Sequence, residues 1–200
     1  MYKWPEQDTH FKDFLTYQLK NRQRFLNAMN EPDTIIDIGA HAGSWTIPMA
    51  GVARRIYSYE PIHGDTLEYN VAQSKLNNIT VRRLLLSKDT GEKIIWRRQD
   101  NSGDSGIDLG ADFDRVPIHM QSTTLDSQEH VGRISGIKID VQGHEYAVLL
   151  GAENTITTHK PVICCELVKG DRPAELLLDS WGYRLAVRSG KDWIWRHKDV

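Results

Sequence analysis

Acid, amide and imidazole side chains crowd the stretch "GIKIDVQGHE" (136–145), where an apolar run gives way to Asp140, Gln142, His144 and Glu145. Two further concentrations precede it. In "DIGAHAG" (37–43), Gly39 and Gly43 flank His41, and "SYEP" (58–61) carries Glu60, 21 residues after Gly39. Carboxylates accept hydrogen bonds from hydroxyls, take up protons and attract cations, while a glycine-bearing turn admits positive φ or close approach of a ligand. An acid at the spacing of Glu60 suits the two hydroxyls of a ribose. His41 stands where a dinucleotide loop carries its middle glycine. Histidine is among the residues enriched in the left-handed region, so the turn survives the exchange.

These residues need elements to hold them at one place. Apolar residues from Phe11 to Met29, at three- and four-residue spacing, predict a helix over about 9–29, closed by "NEPD". Beyond it, strands and helices alternate. "TIIDIGA", "RRIYSYEP", "ITVRRLLLS", "GIKIDV" and "PVICCEL" read as strands, with helices over "GSWTIPMAG", 64–76, 145–159 and "PAELLLDSWG" between and after them. Short strands and turns fill 91–126, and a hairpin turning at Ser189-Gly190 closes the chain. Alternation of this kind means right-handed crossovers and a doubly wound, mostly parallel α/β sheet with one antiparallel strand. Ligands of such sheets bind beyond the carboxyl ends of the strands. Those ends fall at "DIGAHAG", Glu60, Leu86-Ser87, "DVQGHE" and Glu166, so four of the five carry or adjoin a carboxylate.

Composition removes several function classes. The chain has 200 residues, 40% hydrophobic and 26% charged, which matches one ordinary globular domain. A net charge of −2 gives no general attraction to nucleic acid or anionic membrane, and the pairs Arg54-Arg55, Arg82-Arg83 and Arg97-Arg98 read as solvated strand ends. No apolar run approaches a membrane span, and the polar start "MYKWPEQDTHF" does not resemble a secretory leader, so a cytoplasmic location is expected. Cys164 and Cys165 are adjacent in a strand and fall on opposite faces, which suits neither a disulfide framework nor a zinc site.

Four blocks in order, "DIGAHAGSW", "SYEP", "TTLD" and "IKIDVQGHEYAVLLGA", resemble the FkbM-type S-adenosylmethionine-dependent methyltransferases from about residue 33 to 167. The resemblance implies a class I methyltransferase fold, Rossmann-like, whose seven-stranded sheet ends on an antiparallel hairpin strand. It also implies S-adenosyl-L-methionine as cofactor and methyl transfer to oxygen, on a saccharide or small-metabolite hydroxyl. Residues 1–32 fall outside the signature and are expected to form a helical extension packed on a methyltransferase domain over 33–200. One position departs from the pattern: the family commonly has glutamate where Gln142 stands.

On this resemblance Gly39, His41 and Gly43 shape the loop beneath the cofactor, while Asp37 orders that loop or takes the methionine ammonium. Glu60 holds the ribose, and Leu86 and Ser87 border the adenine. Asp140 ends the fourth strand, where the transferable methyl points in this fold, and is the candidate general base, with Glu166 and His144 as competitors. Gln142 orients the acceptor or the methionine carboxylate, since an amide donates and accepts but does not ionise. Asn101 and Ser102, in the loop "RQDNSGDSGIDLGADFD", are candidate acceptor contacts. Glu145 suits the positive end of a helix, Asp126 reads as a helix cap, and Trp193 and Trp195 as core. No ligand spacing demands a metal, although Asp140 and Glu166 could share an ion. Two rivals stay open: a nicotinamide-dependent oxidoreductase, which would normally show G-x-G-x-x-G, and a non-catalytic module silenced at Gln142.

Overall fold

The computed structural model describes residues 1–5, 13–99, 101–103, 105–107, 114–167 and 172–200. Its strands are β1 (Thr34–Ile38), β2 (Arg55–Tyr59), β3 (Ile79–Arg82), β4 (Leu85–Leu86), β5 (Gly91–Arg98), β6 (Arg115–Thr123), β7 (Ile134–Ile139), β8 (Val162–Glu166), β9 (Tyr183–Ser189) and β10 (Asp192–His197). The helices are α1 (Leu19–Asn27), α2 (Thr46–Ala50), α3 (Gly64–Ser74), α4 (Glu145–Leu150), α5 (Glu153–His159) and α6 (Arg172–Ser180). Seven strands form one sheet in the order β3-β2-β1-β7-β8-β10-β9. The first five of these run parallel, and β10 is antiparallel to both its neighbours. This is the class I methyltransferase arrangement.

Strand alternation divides the core into two layers. Ile36, Ile38, Ile137, Ile139, Ile163, Cys165 and Trp193 face α4, α5 and α6. Ile35, Ile56, Cys164 and Ile194 face the other way, against Phe25 of α1 and Trp45 and Met49 near α2. The adjacent cysteines are therefore buried on opposite faces, and both Trp193 and Trp195 belong to the core.

Three predicted elements differ from the fold, each for a local reason. The expected helix over 9–29 begins at Leu19, with turns over 14–18; residues 9–12 lie outside the described residues. The buried Arg22 guanidinium donates to the carbonyls of Leu15 at 2.7 Å, Tyr17 at 3.2 Å and Ser44 at 2.9 Å, which holds the preceding segment in a turn. Gln18 there has a left-handed φ of 50°. The third strand breaks after Arg82. Arg83 turns aside to pair with Asp65 and Glu68 of α3, and Leu85–Leu86 joins a separate sheet in the order β4-β6-β5.

The expected helix over 145–159 is two helices, because Gly151 passes against the backbone of Ser87. A Cβ on Gly151 would lie 2.0 Å from the Ser87 carbonyl oxygen. The chain restarts at α5, where the Asp126 carboxylate accepts the N–H groups of Asn154 at 2.9 Å and Thr155 at 2.8 Å. Asp126 is thus a cap, but for a helix 27 residues further on in the chain. Gly151→Ala should cost about 3 kcal/mol and lower the thermal midpoint by roughly 6–12 °C. An unchanged midpoint in scanning calorimetry would show that the backbones can separate freely there.

Candidate active site

A cleft of about 520 Å³ opens at the carboxyl ends of the parallel strands. Its first wall is the turn after β1. Gly39, with φ 74°, lies so close to β7 that a Cβ would sit 1.9 Å from the Asp140 carbonyl oxygen. His41 takes the left-handed conformation that its type permits, with φ 53°. Its backbone N–H donates to Glu60 Oε2 at 2.8 Å, while Ile62 and His63 donate theirs to Oε1 at 2.8 and 2.9 Å. Glu60 therefore ties the β1 and β2 turns together. A carboxylate offers about four lone-pair positions, so three backbone donors leave capacity for one more. The sequence alone suggested room for both ribose hydroxyls.

Asp37 and Gly43 stand behind this wall rather than in it. Asp37 is fully buried; its Oδ2 accepts the Thr46 hydroxyl at 2.7 Å, and its Oδ1 lies 3.4 Å from Lys138 Nζ. It orders the loop and the start of α2. Gly43, with φ 91°, faces α3, where a Cβ would come within 2.7 Å of Leu67 Cδ1.

The second wall is the turn after β7. Glu145 accepts the N–H groups of Val141 at 3.0 Å and Gly143 at 3.0 Å, closing the turn from below. Gln142 has φ 53°, and its side-chain amide donates to Asp140 Oδ1 at 2.8 Å and Glu166 Oε2 at 2.7 Å. One neutral group thus bridges two acids from different strands. Lys138, buried within the apolar strand, places Nζ 3.4 Å from Asp37 Oδ1, 3.4 Å from Asp140 Oδ2 and 3.4 Å from the Gly39 carbonyl oxygen. The Trp45 ring lies 5.5 Å from that ammonium.

Charge in this cluster is divided unequally. Burial works against ionisation of Asp140, but Lys138 and hydrogen bonds from Glu166 and Gln142 prevail and hold its carboxyl below the ordinary value. Burial likewise opposes the charge on Lys138, and the carboxylates of Asp140 and Asp37 outweigh it. Glu166 goes the other way, pushed up to about 8 by burial and then by the charge of Asp140. At neutral pH the pair holds one proton, on Glu166. Tyr17, which lines the same end of the cleft, is pushed up to about 12 by burial and by Asp140.

The remaining candidates are distributed around the rim. His144 lines the cleft and its Nε2 meets the Ser87 hydroxyl at 3.0 Å, a contact that links α4 to the second sheet. Leu86 lines the cleft beside Leu84 and Leu85; Ser87 is buried behind them. Asn101 and Ser102 both reach it, and the Ser102 hydroxyl lies 2.6 Å from His41 Nε2. Burial, then the neighbouring His63, drives the His41 imidazole down to about 3, so this ring is neutral. Parts of the loop at 100, 104 and 108–113 lie outside the described residues.

Sequence reasoning missed Lys138, Tyr17, Gln18 and His63, all of which line the cleft. A lysine inside the apolar run "GIKID" was the available signal for the first. Tyr17 and Gln18 arrive from a distant segment, where Trp45 Nε1 donates to Gln18 Oε1 at 2.7 Å, and local patterning carries no mark of that.

Because the folded-state value of Glu166 is raised from 4.5 to about 8, the native state holds its proton more tightly than the unfolded chain does. The stability this contributes is complete below about pH 4.5 and is lost as pH rises through about 8. Glu166→Gln should flatten the decline in thermal midpoint between pH 6 and about 9. Parallel curves for the variant and the parent would contradict the assignment of the proton.

Comparison with known proteins bears on the family and the fold. The family model for the methyltransferase FkbM domain matches residues 37–185. No curated protein matches the chain. A methyltransferase FkbM from Methylobacillus flagellatus KT has a similar structure, with TM-score 0.60 and 16% identity over 94% of this chain and 56% of that one. This chain therefore spans little more than half the length of that relative. A precorrin-6y C5,15-methyltransferase from Geobacter metallireducens GS-15 has TM-score 0.52 and 14% identity, covering 87% of this chain and 86% of the other. A precorrin 8W decarboxylase from Methanobacterium thermoautotrophicum has TM-score 0.55 and 13% identity, covering 98% and 96%. At such identities the likeness is one of fold. Among the described residues no group of three or more His, Cys, Asp or Glu could hold a metal ion, and no helix is long and apolar enough to cross a membrane.

Proposed function

The chain belongs to the FkbM methyltransferase family, and from that premise we propose that its cleft transfers a methyl group from S-adenosylmethionine to a hydroxyl of a saccharide or small metabolite. The observation that carries this reading is the convergence of Asp140 and Glu166 on the Gln142 amide at the carboxyl ends of β7 and β8. The cleft also fits the cofactor: about 520 Å³ lies within the range usual for small-molecule sites. Glu60, prearranged by three backbone donors, has acceptor capacity for a ribose hydroxyl, and Leu84, Leu85, Leu86 and Ile95 offer an apolar border for an adenine.

Bound there, S-adenosylmethionine supplies a methyl group activated by its own sulfonium. The residues of the chain have to align an acceptor and remove a proton. Asp140 is ionised and directed into the cleft, so it accepts the hydroxyl proton, a role that typically contributes 10² to 10⁴ in rate. Glu166 hydrogen-bonds to Asp140, and the Gln142 amide bridges the two acids without adding a third negative group. Lys138 fixes Asp140 from beneath. Asn101 and Ser102, which both line the cleft, are the candidate acceptor contacts. An amide that donates to both acids supports a working site rather than a silenced module, and His41 in place of a middle glycine argues against a dinucleotide loop.

Incubation with methyl-labelled S-adenosylmethionine and a panel of saccharides and hydroxylated metabolites, with mass location of the label on oxygen, tests the reaction. Glu60→Ala should weaken S-adenosylmethionine binding at least about tenfold by calorimetry, a loss of about 1.4 kcal/mol; unchanged affinity would remove Glu60 from the cofactor site. With an acceptor from the panel, Asp140→Asn should reduce turnover by about 10² or more. Its affinity for S-adenosylhomocysteine should stay within about threefold of the parent, since that ligand carries no sulfonium. Equal turnover would reject Asp140 as the base.

A further inference from the structure

Three carboxylates line the cleft among the described residues: Glu60, Asp140 and Glu166. They are not equivalent. Three backbone N–H groups already face Glu60, whereas Asp140 and Glu166 share the Gln142 amide, with Lys138 Nζ 3.4 Å from Asp140 and Lys191 Nζ 3.7 Å from Glu166. When both strand-end acids are ionised they carry more negative charge than the buried Lys138 offsets, and they attract a cation entering the cleft. Between the methyl donor and its demethylated product, the difference that such a site can sense is charge: the donor's sulfur is cationic and the product's is neutral.

We propose that the Asp140–Glu166 pair distinguishes the two, favouring S-adenosylmethionine over S-adenosylhomocysteine, and that Lys138 and Gln142 set how much negative charge the pair presents. This rests on the methyltransferase reading. Every neighbouring charge bears on it. Glu166 is faced by Asp140 at the end of β7, by Lys191 at 3.7 Å from the turn before β10, by Asp192 of β10 and by Tyr17 of the amino-terminal segment. Lys138 is faced by Asp37 of β1, Asp140, Asp192 and Cys164 of β8. The lysine neutralises one acid whatever the pH, and Gln142 neutralises none. The charge that varies is that of Glu166, which is protonated below about pH 8 and negative above it. Loss of the sulfonium charge on turnover then weakens the product's hold, and displacement of product by fresh donor becomes easier as pH rises.

Calorimetric affinities of S-adenosylmethionine and S-adenosylhomocysteine, measured as a pair from pH 6.5 to about 9, test the inference. The cationic sulfur lowers the α-amino pKa of the donor relative to the product, so the ligands' own titration is removed by reading the parent's ratio against that of Glu166→Gln. In the parent protein the preference for the donor should grow on the order of tenfold across this range, a size usual for coupling between sites. In Glu166→Gln this growth should be absent, leaving only the change set by the ligands' own amino groups. In Gln142→Glu, which adds an ionisable group to the cluster, the ratio should grow more steeply than in the parent. A donor preference whose pH dependence is the same in the parent and in Glu166→Gln overturns this inference alone. Absence of binding by either ligand overturns the methyltransferase reading and the inference together.

Discussion

A single ammonium buried in the middle of the sheet, that of Lys138, governs the arrangement of the cleft. Taking a lysine out of water is costly unless opposite charge lies close by. Asp37 on the adjacent strand and Asp140 two residues along β7 supply it, both at 3.4 Å. The pairing joins the turn after β1 to the turn after β7, which are the two walls of the cleft. Its consequence is electrostatic as well as geometric. Because Lys138 claims Asp140 as its counter-ion, the proton of the carboxylate pair resides on Glu166. Removing the lysine would leave two buried acids without a counter-ion, and breaking such arrangements is strongly destabilising.

Gln142 is the second half of the same arrangement. A glutamate at this position would place a third acid against Asp140 and Glu166; the amide instead donates to each of them. What looks in the sequence like loss of a functional acid is, in the fold, a neutral bridge that lets two acids stand close together. His144, two residues on, is turned aside toward Ser87 and links α4 with the second sheet.

Much of this was legible in the sequence because it is local. The alternation of apolar strands with helices, the adjacent cysteines on opposite faces, the left-handed His41 and the row of strand-end acids all follow from spacing within about ten residues. The departures come from contacts between segments far apart. Helix α1 starts late because Arg22 reaches the carbonyl of Ser44. The helix after β7 divides because Gly151 meets Ser87. Leu85 and Leu86 leave the main sheet for a partner at Ser122 and Thr123. In the site, Glu60 and Asp140 were visible at strand ends, but the filling of Glu60 by backbone donors and the pairing of Lys138 with Asp37 depend on strand order. Tyr17 and Gln18 enter the cleft from a segment that no motif connects with it.

On the proposed function, the cofactor lies from Glu60 to the Asp140–Glu166 pair, with its sulfur at the acids. A crystal structure with bound S-adenosylhomocysteine tests that claim most directly. The account expects a ribose hydroxyl on Glu60, the adenine against Leu84–Leu86, and the sulfur facing Asp140 and Glu166. A ligand lying with its ribose away from Glu60, or with its sulfur directed away from the two acids, would contradict it.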